Sequence, residues 1–183
     1  MKKLLLGIAA VCLAGFTFAQ DAPLWMRHSV ISPDGTTIAF TYKGDIYTVP
    51  VAGGRAMQIT TNPAYDTAPV WSPDSKRIAF ASDRMGSLDV YIVAKDGGEP
   101  RRLTTHSGSE TPLAFTDAGH VLFSAGIMPS AEAVVFPSNG QFNQVYRVSV
   151  EGGRPTMISS MPMECISINK EGAMLYQDKK GYE

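Results

Sequence analysis

Catalysis would need a base, and the chain offers three histidines, His28, His106 and His120. Its nearest approach to a nucleophile is the serines of "THSGSE" (residues 105–110) and "SAGIMPS" (residues 124–130). A serine hydrolase needs the hydroxyl within hydrogen-bond reach of a base that a third group orients. The commonest way to write that in sequence, a G-x-S-x-G elbow between strand and helix, does not occur. No histidine pair has metal-ligand spacing such as H-E-x-x-H, so solvated loop imidazoles are expected. Asp34, Asp74 and Asp117 look like a carboxylate cluster, but each closes a similar turn phrase. A catalytic pair converges on one site, whereas these recur once per repeat, which is turn chemistry. Asp83-Arg84 reads as an ion pair at a strand end, with a peptide contact as the other option. Gly53-Gly54, Gly97-Gly98 and Gly152-Gly153 are not phosphate cradles, since no helix follows to present its N-terminus. The expectation is therefore no catalytic, cofactor-binding or metal-binding residue and no cofactor, with the ligand-binding residues unassigned.

What positions these residues is a repeat. A turn and a short strand recur as "SPDGTTIAF", "SPDSKRIAF", "FTDAGHVLF" and "INKEGAMLY", closing on Phe40, Phe80, Phe123 and Tyr176 at spacings of 40, 43 and 53. Next comes "DIYTVPVAGG", "DVYIVAKDGG" and "QVYRVSVEGG", in which Tyr47, Tyr91 and Tyr146 each precede the glycine pair by six residues. A third short phrase follows around Ile59, Leu103 and Ile158. In Ser32-Pro33-Asp34-Gly35 and Ser72-Pro73-Asp74-Ser75, proline pre-sets φ for the second position of a type I turn and aspartate suits the third. The β-branched and aromatic residues of "TIAFTY" and "RIAFAS" alternate between turn signals, so they read as strands. The glycine pairs supply the positive φ of a tight hairpin. Pro50 removes one ladder donor, tolerable near a strand end.

One repeat is thus four short strands, in the second copy "APVWS", "RIAFASD", "LDVYIVA" and "PRRLTT". Both faces are apolar or small: Ile78 and Phe80 point one way, Ala79 and Ala81 the other. A lone sheet cannot leave both faces in water, but sheets stacked radially bury both, which is the β-propeller solution. The predicted fold is all-β: an incomplete propeller with blades at about 25–68, 69–112 and 113–162 and the first hairpin of a fourth at 163–183. That hairpin is expected near Cys165–Ile168 and Ala173–Gln177. Three blades and a hairpin do not close a ring, so the chain reads as a fragment, with two uncovered sheet faces if expressed alone. The insertion Ile127–Gln144, with Met128, Val134, Val135 and Phe136, breaks the repeat and is assigned to contact with a neighbouring domain.

Residues 1–19, "MKKLLLGIAAVCLAGFTFA", have two lysines, an apolar run and a small-residue end. This is a secretory signal peptide pattern, a leader helix cleaved after Ala19, and its apolar run is short for a membrane span. Residues 20–183 form the exported part, periplasmic or secreted. Val11 before Cys12 argues against a lipid anchor, and cleavage leaves Cys165 as the sole cysteine, a buried inert thiol rather than a disulfide partner. Hydrophobic residues at 44% and charged residues at 18% describe a globular chain. A net charge of −1, falling to −3 when Lys2 and Lys3 leave, excludes a nucleic-acid groove or polybasic membrane surface as partner.

The stretch "WSPDSKRIAFASDRMGSLDVYIVAKDGGEPRRLT" closely resembles the blade repeat of TolB-like and tricorn-like propellers. The opening "APLWMRHSVISPDGTTIAFTYKGDIYTVPVAGG" and the insertion "AGIMPSAEAVVFPSNGQFNQVYRV" are similar to the N-terminal region of bacterial tricorn-type serine peptidases. The resemblance implies a non-catalytic propeller that binds or gates a peptide or protein substrate for a peptidase domain downstream. It implies as further partners the remaining blades and that peptidase domain. A TolB-like scaffold without enzyme activity and the propeller of a dipeptidyl-peptidase-like hydrolase share these blades and stay open.

Overall fold

The structure, a computed structural model, describes residues 25–126, 143–160, 163–169 and 173–178. The leader helix, the insertion from Ile127 to residue 142, and the Cys165 side chain lie outside what is described. The first sheet comprises β1 (Arg27–Ile31), β2 (Thr37–Tyr42), β3 (Asp45–Pro50) and β4 (Met57–Gln58). The second holds β5 (Asp66–Trp71), β6 (Arg77–Ser82), β7 (Asp89–Ala94) and β8 (Arg101–Arg102). The third holds β9 (Glu110–Asp117), β10 (His120–Ala125), β11 (Gln144–Ser149) and β12 (Thr156–Ser159). A hairpin of β13 (Met163–Ile168) and β14 (Met174–Asp178) follows. Each sheet runs antiparallel with its strands adjacent in chain order, so one repeat is one blade.

The local chemistry is the same in successive blades. Gly35 N–H donates to Ser32 C=O at 2.8 Å and Ser75 N–H to Ser72 C=O at 2.9 Å, closing both Ser-Pro-Asp turns. Each serine hydroxyl donates to the turn aspartate at 2.6 Å and accepts the N–H that opens the next strand, Thr37 at 3.0 Å and Arg77 at 2.9 Å. The glycine pairs all have positive φ, 86 and 124° at Gly53-Gly54 and 91 and 117° at Gly97-Gly98, a backbone that a side chain resists. The aligned tyrosines have like surroundings: Phe40–Tyr47, Phe80–Tyr91 and Phe123–Tyr146 stack with ring centroids 5.8, 5.9 and 5.6 Å apart.

Between blades the two faces of a sheet do different work. Trp71, Ile78, Phe80, Tyr91 and Val93 pack on Ala39, Ile46 and Ile59 of the blade before. Ala79, Val90, Ile92 and Leu103 pack on Phe115, Val121, Phe123, Tyr146 and Val148 of the blade after. A large aromatic face thus meets a face of small and β-branched residues, alternately big and small, which is how sheets interdigitate. Ile59 N–H donates to Ile46 C=O at 2.7 Å, and Leu103 N–H to Val90 C=O at 2.8 Å, where the chain leaves one blade for the next.

In the structure β5 opens at Asp66 and β9 at Glu110, and Gln144 belongs to β11 rather than to the insertion. His28 lies within β1 and His120 opens β10, so neither sits outside a strand as expected. For His28 the reason is a bulge in the first strand, which recurs in the second blade. Register slips between Arg27 and Val30 and again between Thr67 and Val70, with His28 at φ 50° and Ala68 at φ 51°. A bulge inserts one residue and breaks the period-2 pattern on which a strand is recognised.

Candidate functional site

Ile31, Trp71, Phe115 and Ile168 hold the same place in the ladder of each copy, paired with Ile38, Ile78, Val121 and Met174, the first apolar residue of the second strand. β1, β5, β9 and β13 pack side by side, so these four positions come together at one end of the array. With Val30, Val70 and Leu113 they line a cavity of about 830 Å³, rimmed by Pro33, Pro73, Asp117 and Asn169. Its size falls in the range of ligand sites, and its walls are mainly apolar. The Trp71 indole N–H donates to Val30 C=O at 3.1 Å, which fixes the ring against the first blade. At the rim, burial works against ionisation of Asp117, but His120, the Gly119 N–H and Thr116 outweigh it and hold the carboxyl below its usual range. Such a cavity can hold an apolar side chain, with Asp117 and Asn169 available to polar atoms beside it.

Ionisable groups lie at the joints between blades, toward the other end of the strands. Arg84 grips both oxygens of the fully buried Asp66 at 3.0 Å, donates to Ser82 Oγ at 2.8 Å and lies 4.5 Å from the Tyr91 ring centre. Asp83 accepts from Tyr65 N–H at 2.7 Å. The Asp83-Arg84 pair of the sequence is therefore two structural contacts, with Arg84 paired to Asp66 rather than to its neighbour. At the next joint Arg102 Nη2 lies 2.8 Å from Asp89 Oδ2, beside a Glu110 that is fully buried. Burial pushes the Glu110 carboxyl up to about 7; Asp89 adds to the shift, Thr104 and Arg102 oppose it.

The remaining candidates do not converge. Asp34 and Asp74 stay in their own turns, where hydrogen bonds from Ser32 and Thr36 hold Asp34 at about 2, and one from Ser72 lowers Asp74. His106 Nδ1 accepts from Gly108 N–H at 3.0 Å, a loop contact. His28 Nδ1 and Thr67 Oγ1 are 3.1 Å apart, a hydroxyl–imidazole pair that ties β1 to β5. Among the described residues no carboxylate backs that imidazole, and Thr67 is buried, so the pair lacks the third group and the access that a nucleophile requires. Among the described residues no group of three or more His, Cys, Asp or Glu could hold a metal. Sequence reasoning missed the cavity. Its signal, a column of apolar residues before the turns, is offset by one residue in the third and fourth copies, whose turns are one residue shorter.

Residues 23–182 match the family described as the Tricorn protease N-terminal beta propeller domain. The chain belongs to that family. Tricorn protease homolog 1 of Streptomyces coelicolor is 35% identical over 102 residues, 55% of this chain and 9% of that protein. A Bacillus subtilis protein named as the peptidase YuxL is 30% identical over 129 residues, 69% of this chain and 20% of that one. A solved structure, TolB from Acinetobacter baumannii, superposes with a TM-score of 0.63 at 19% identity, over 82% of this chain and 37% of the other, which bears on the fold alone. The tricorn-type propeller thus spans a small part of the relatives it matches. Its cavity is built from the first strands of successive blades, where the blades of a propeller converge.

Proposed function

We propose that this tricorn-type propeller is the binding and gating part of an exported serine peptidase. It takes unfolded peptide at the cavity between β1, β5, β9 and β13 and passes it to a peptidase domain carried elsewhere in the parent protein. The observation that carries this reading is the 830 Å³ cavity with Ile31, Trp71, Phe115 and Ile168 in equivalent positions, within a family named for a protease. An apolar hole with a polar rim suits a chain with intermittent apolar side chains. The leader at residues 1–19 supports a periplasmic or secreted location, and neither nucleic acid nor membrane is a partner of the exported chain. A peptide of mixed apolar sequence is expected to bind the purified chain, and Trp71→Ala with Ile31→Asp to weaken it at least tenfold. Unchanged binding in that double variant would refute the assignment.

A TolB-like scaffold is the second reading, supported by the resemblance of residues 71–104 to the blade repeat of TolB-like propellers. The two differ in catalysis by the parent protein: hydrolysis of the bound peptide supports the peptidase, and binding without hydrolysis supports the scaffold.

A further inference from the structure

The third blade departs from the repeat at the rim of the apolar cavity. In the first two blades a serine follows the cavity residue, Ser32 after Ile31 and Ser72 after Trp71, and its hydroxyl holds the turn aspartate at 2.6 Å. The rim there is proline, Pro33 and Pro73, while Asp34 and Asp74 accept hydrogen bonds within their own turns. In the third blade Thr116 takes the serine's place and the turn is one residue shorter. The aspartate then follows directly, and Asp117 itself lines the cavity, two residues from Phe115. Among the described residues that line it, Asp117 alone is an acid or a base.

Its surroundings suit a cation. Asp117 Oδ1 accepts from Gly119 N–H at 2.6 Å and lies 3.0 Å from His120 Nδ1, and Thr116 Oγ1 donates more weakly to Oδ2 at 3.4 Å. These contacts orient the carboxyl and favour its ionised form. The side chain is 56% exposed, so a ligand can reach it. Among the described residues no lysine or arginine pairs with it. The other acids at this end have such company: Lys95 acts on Asp34, Lys76 and Arg77 act on Asp74, and Arg101 binds Glu151 at 2.8 Å. A carboxylate beside an apolar wall, short of a strong counter-charge, suits a side chain that brings one. The spacing fits as well. Two residues span about 7 Å of strand, the separation of residues i and i+2 on one side of an extended peptide.

We propose that Asp117 is a specificity-determining residue of the cavity, selecting peptides with lysine or arginine two residues from the apolar side chain that fills it. The apolar walls hold the anchor, and the Asp117 carboxylate accepts from the ammonium or guanidinium beside it. The proposal rests on the peptide-binding reading above and narrows its substrate class to segments that alternate apolar and basic side chains. A carboxylate half in water sets a preference rather than the affinity itself.

The probe is an acetylated, amidated heptapeptide, Ala-X-Ala-Phe-Ala-X-Ala, with X as arginine, glutamine or glutamate. Its blocked ends leave the charge on X alone. Labelling with 5-fluorotryptophan gives one fluorine resonance for each of the two tryptophans, assigned through Trp25→Phe, and Trp71 lines the cavity. Titrations that follow Trp71 at low salt are expected to rank arginine about threefold tighter than glutamine, and glutamate about threefold weaker. Asp117→Asn keeps an acceptor for the Gly119 N–H and is expected to bring the three peptides level, whereas Asp74→Asn should leave the ranking intact. A ranking that survives Asp117→Asn would overturn the proposal. So would its loss in Asp74→Asn, which would assign the preference to the general field of that surface. If all three peptides shift Trp71 equally in the unaltered chain, the peptide-binding cavity stands and the role of Asp117 fails. If none shifts it, the cavity reading fails and this one with it.

Discussion

The same strand face occurs in two settings in this molecule. In the second blade Ile78, Tyr91 and Val93 lie under the small face of the blade before and are 0, 4 and 3% exposed. In the first blade their counterparts Ile38, Tyr47 and Val49 are half-buried, and Ile31, the counterpart of Trp71, is 54% exposed. The strand ladders, the Ser-Pro-Asp turns and the aromatic stacking are nearly identical in the two, and Phe40 is buried, stacked on Tyr47. The repeat therefore fixes the shape of a blade, and the neighbour fixes how much that blade is stabilised. This is the nearest-neighbour logic of repeat proteins applied to a propeller.

The comparison breaks most clearly in the core. Ile78→Ala is expected to destabilise by about 4 kcal/mol and Ile38→Ala by about 1, since the cost of a large-to-small change follows the packing lost. Equal midpoint shifts in urea would contradict the neighbour's role. The joint itself comes next: Arg84→Ala strands Asp66 in a dry site and is expected to cost about 3 kcal/mol. Adding Asp66→Asn should recover much of that loss, which a thermodynamic cycle measures.

The second joint is pH-dependent. Glu110 takes up a proton more readily folded than unfolded, so its contribution is full below about 4.5 and is lost as pH rises through about 7. Stability is expected to fall by about 3 kcal/mol across that window through this group alone. Glu110→Gln should remove that part of the slope; an unchanged pH profile would contradict it. The smallest effect is also the most equal one. Ser32→Ala and Ser72→Ala should each cost about 1 kcal/mol, because both serines satisfy strand and turn within their own blade. A large difference between them would show that even the turns depend on a neighbour.

These contrasts also explain what could be read from sequence. The turns, the stacked Phe–Tyr pairs and the Gly-Gly hairpins are short-range, and their fixed spacing made the blades legible. The bulges at His28 and Ala68 were not, because neither is glycine and nothing local marks a positive φ there. The Arg84–Asp66 pair spans 18 residues and depends on a longer hairpin in the second blade than the two-residue turn of the first. The cavity needed four distant residues, one from each copy, to be seen as one column.

Amide hydrogen exchange on the folded chain tests the neighbour rule most directly. Amides paired between β6 and β7 are expected to exchange at least tenfold more slowly than their counterparts between β2 and β3, which share the ladder but lack cover on one face. Equal protection in the two hairpins, or greater protection in the first, would contradict the account.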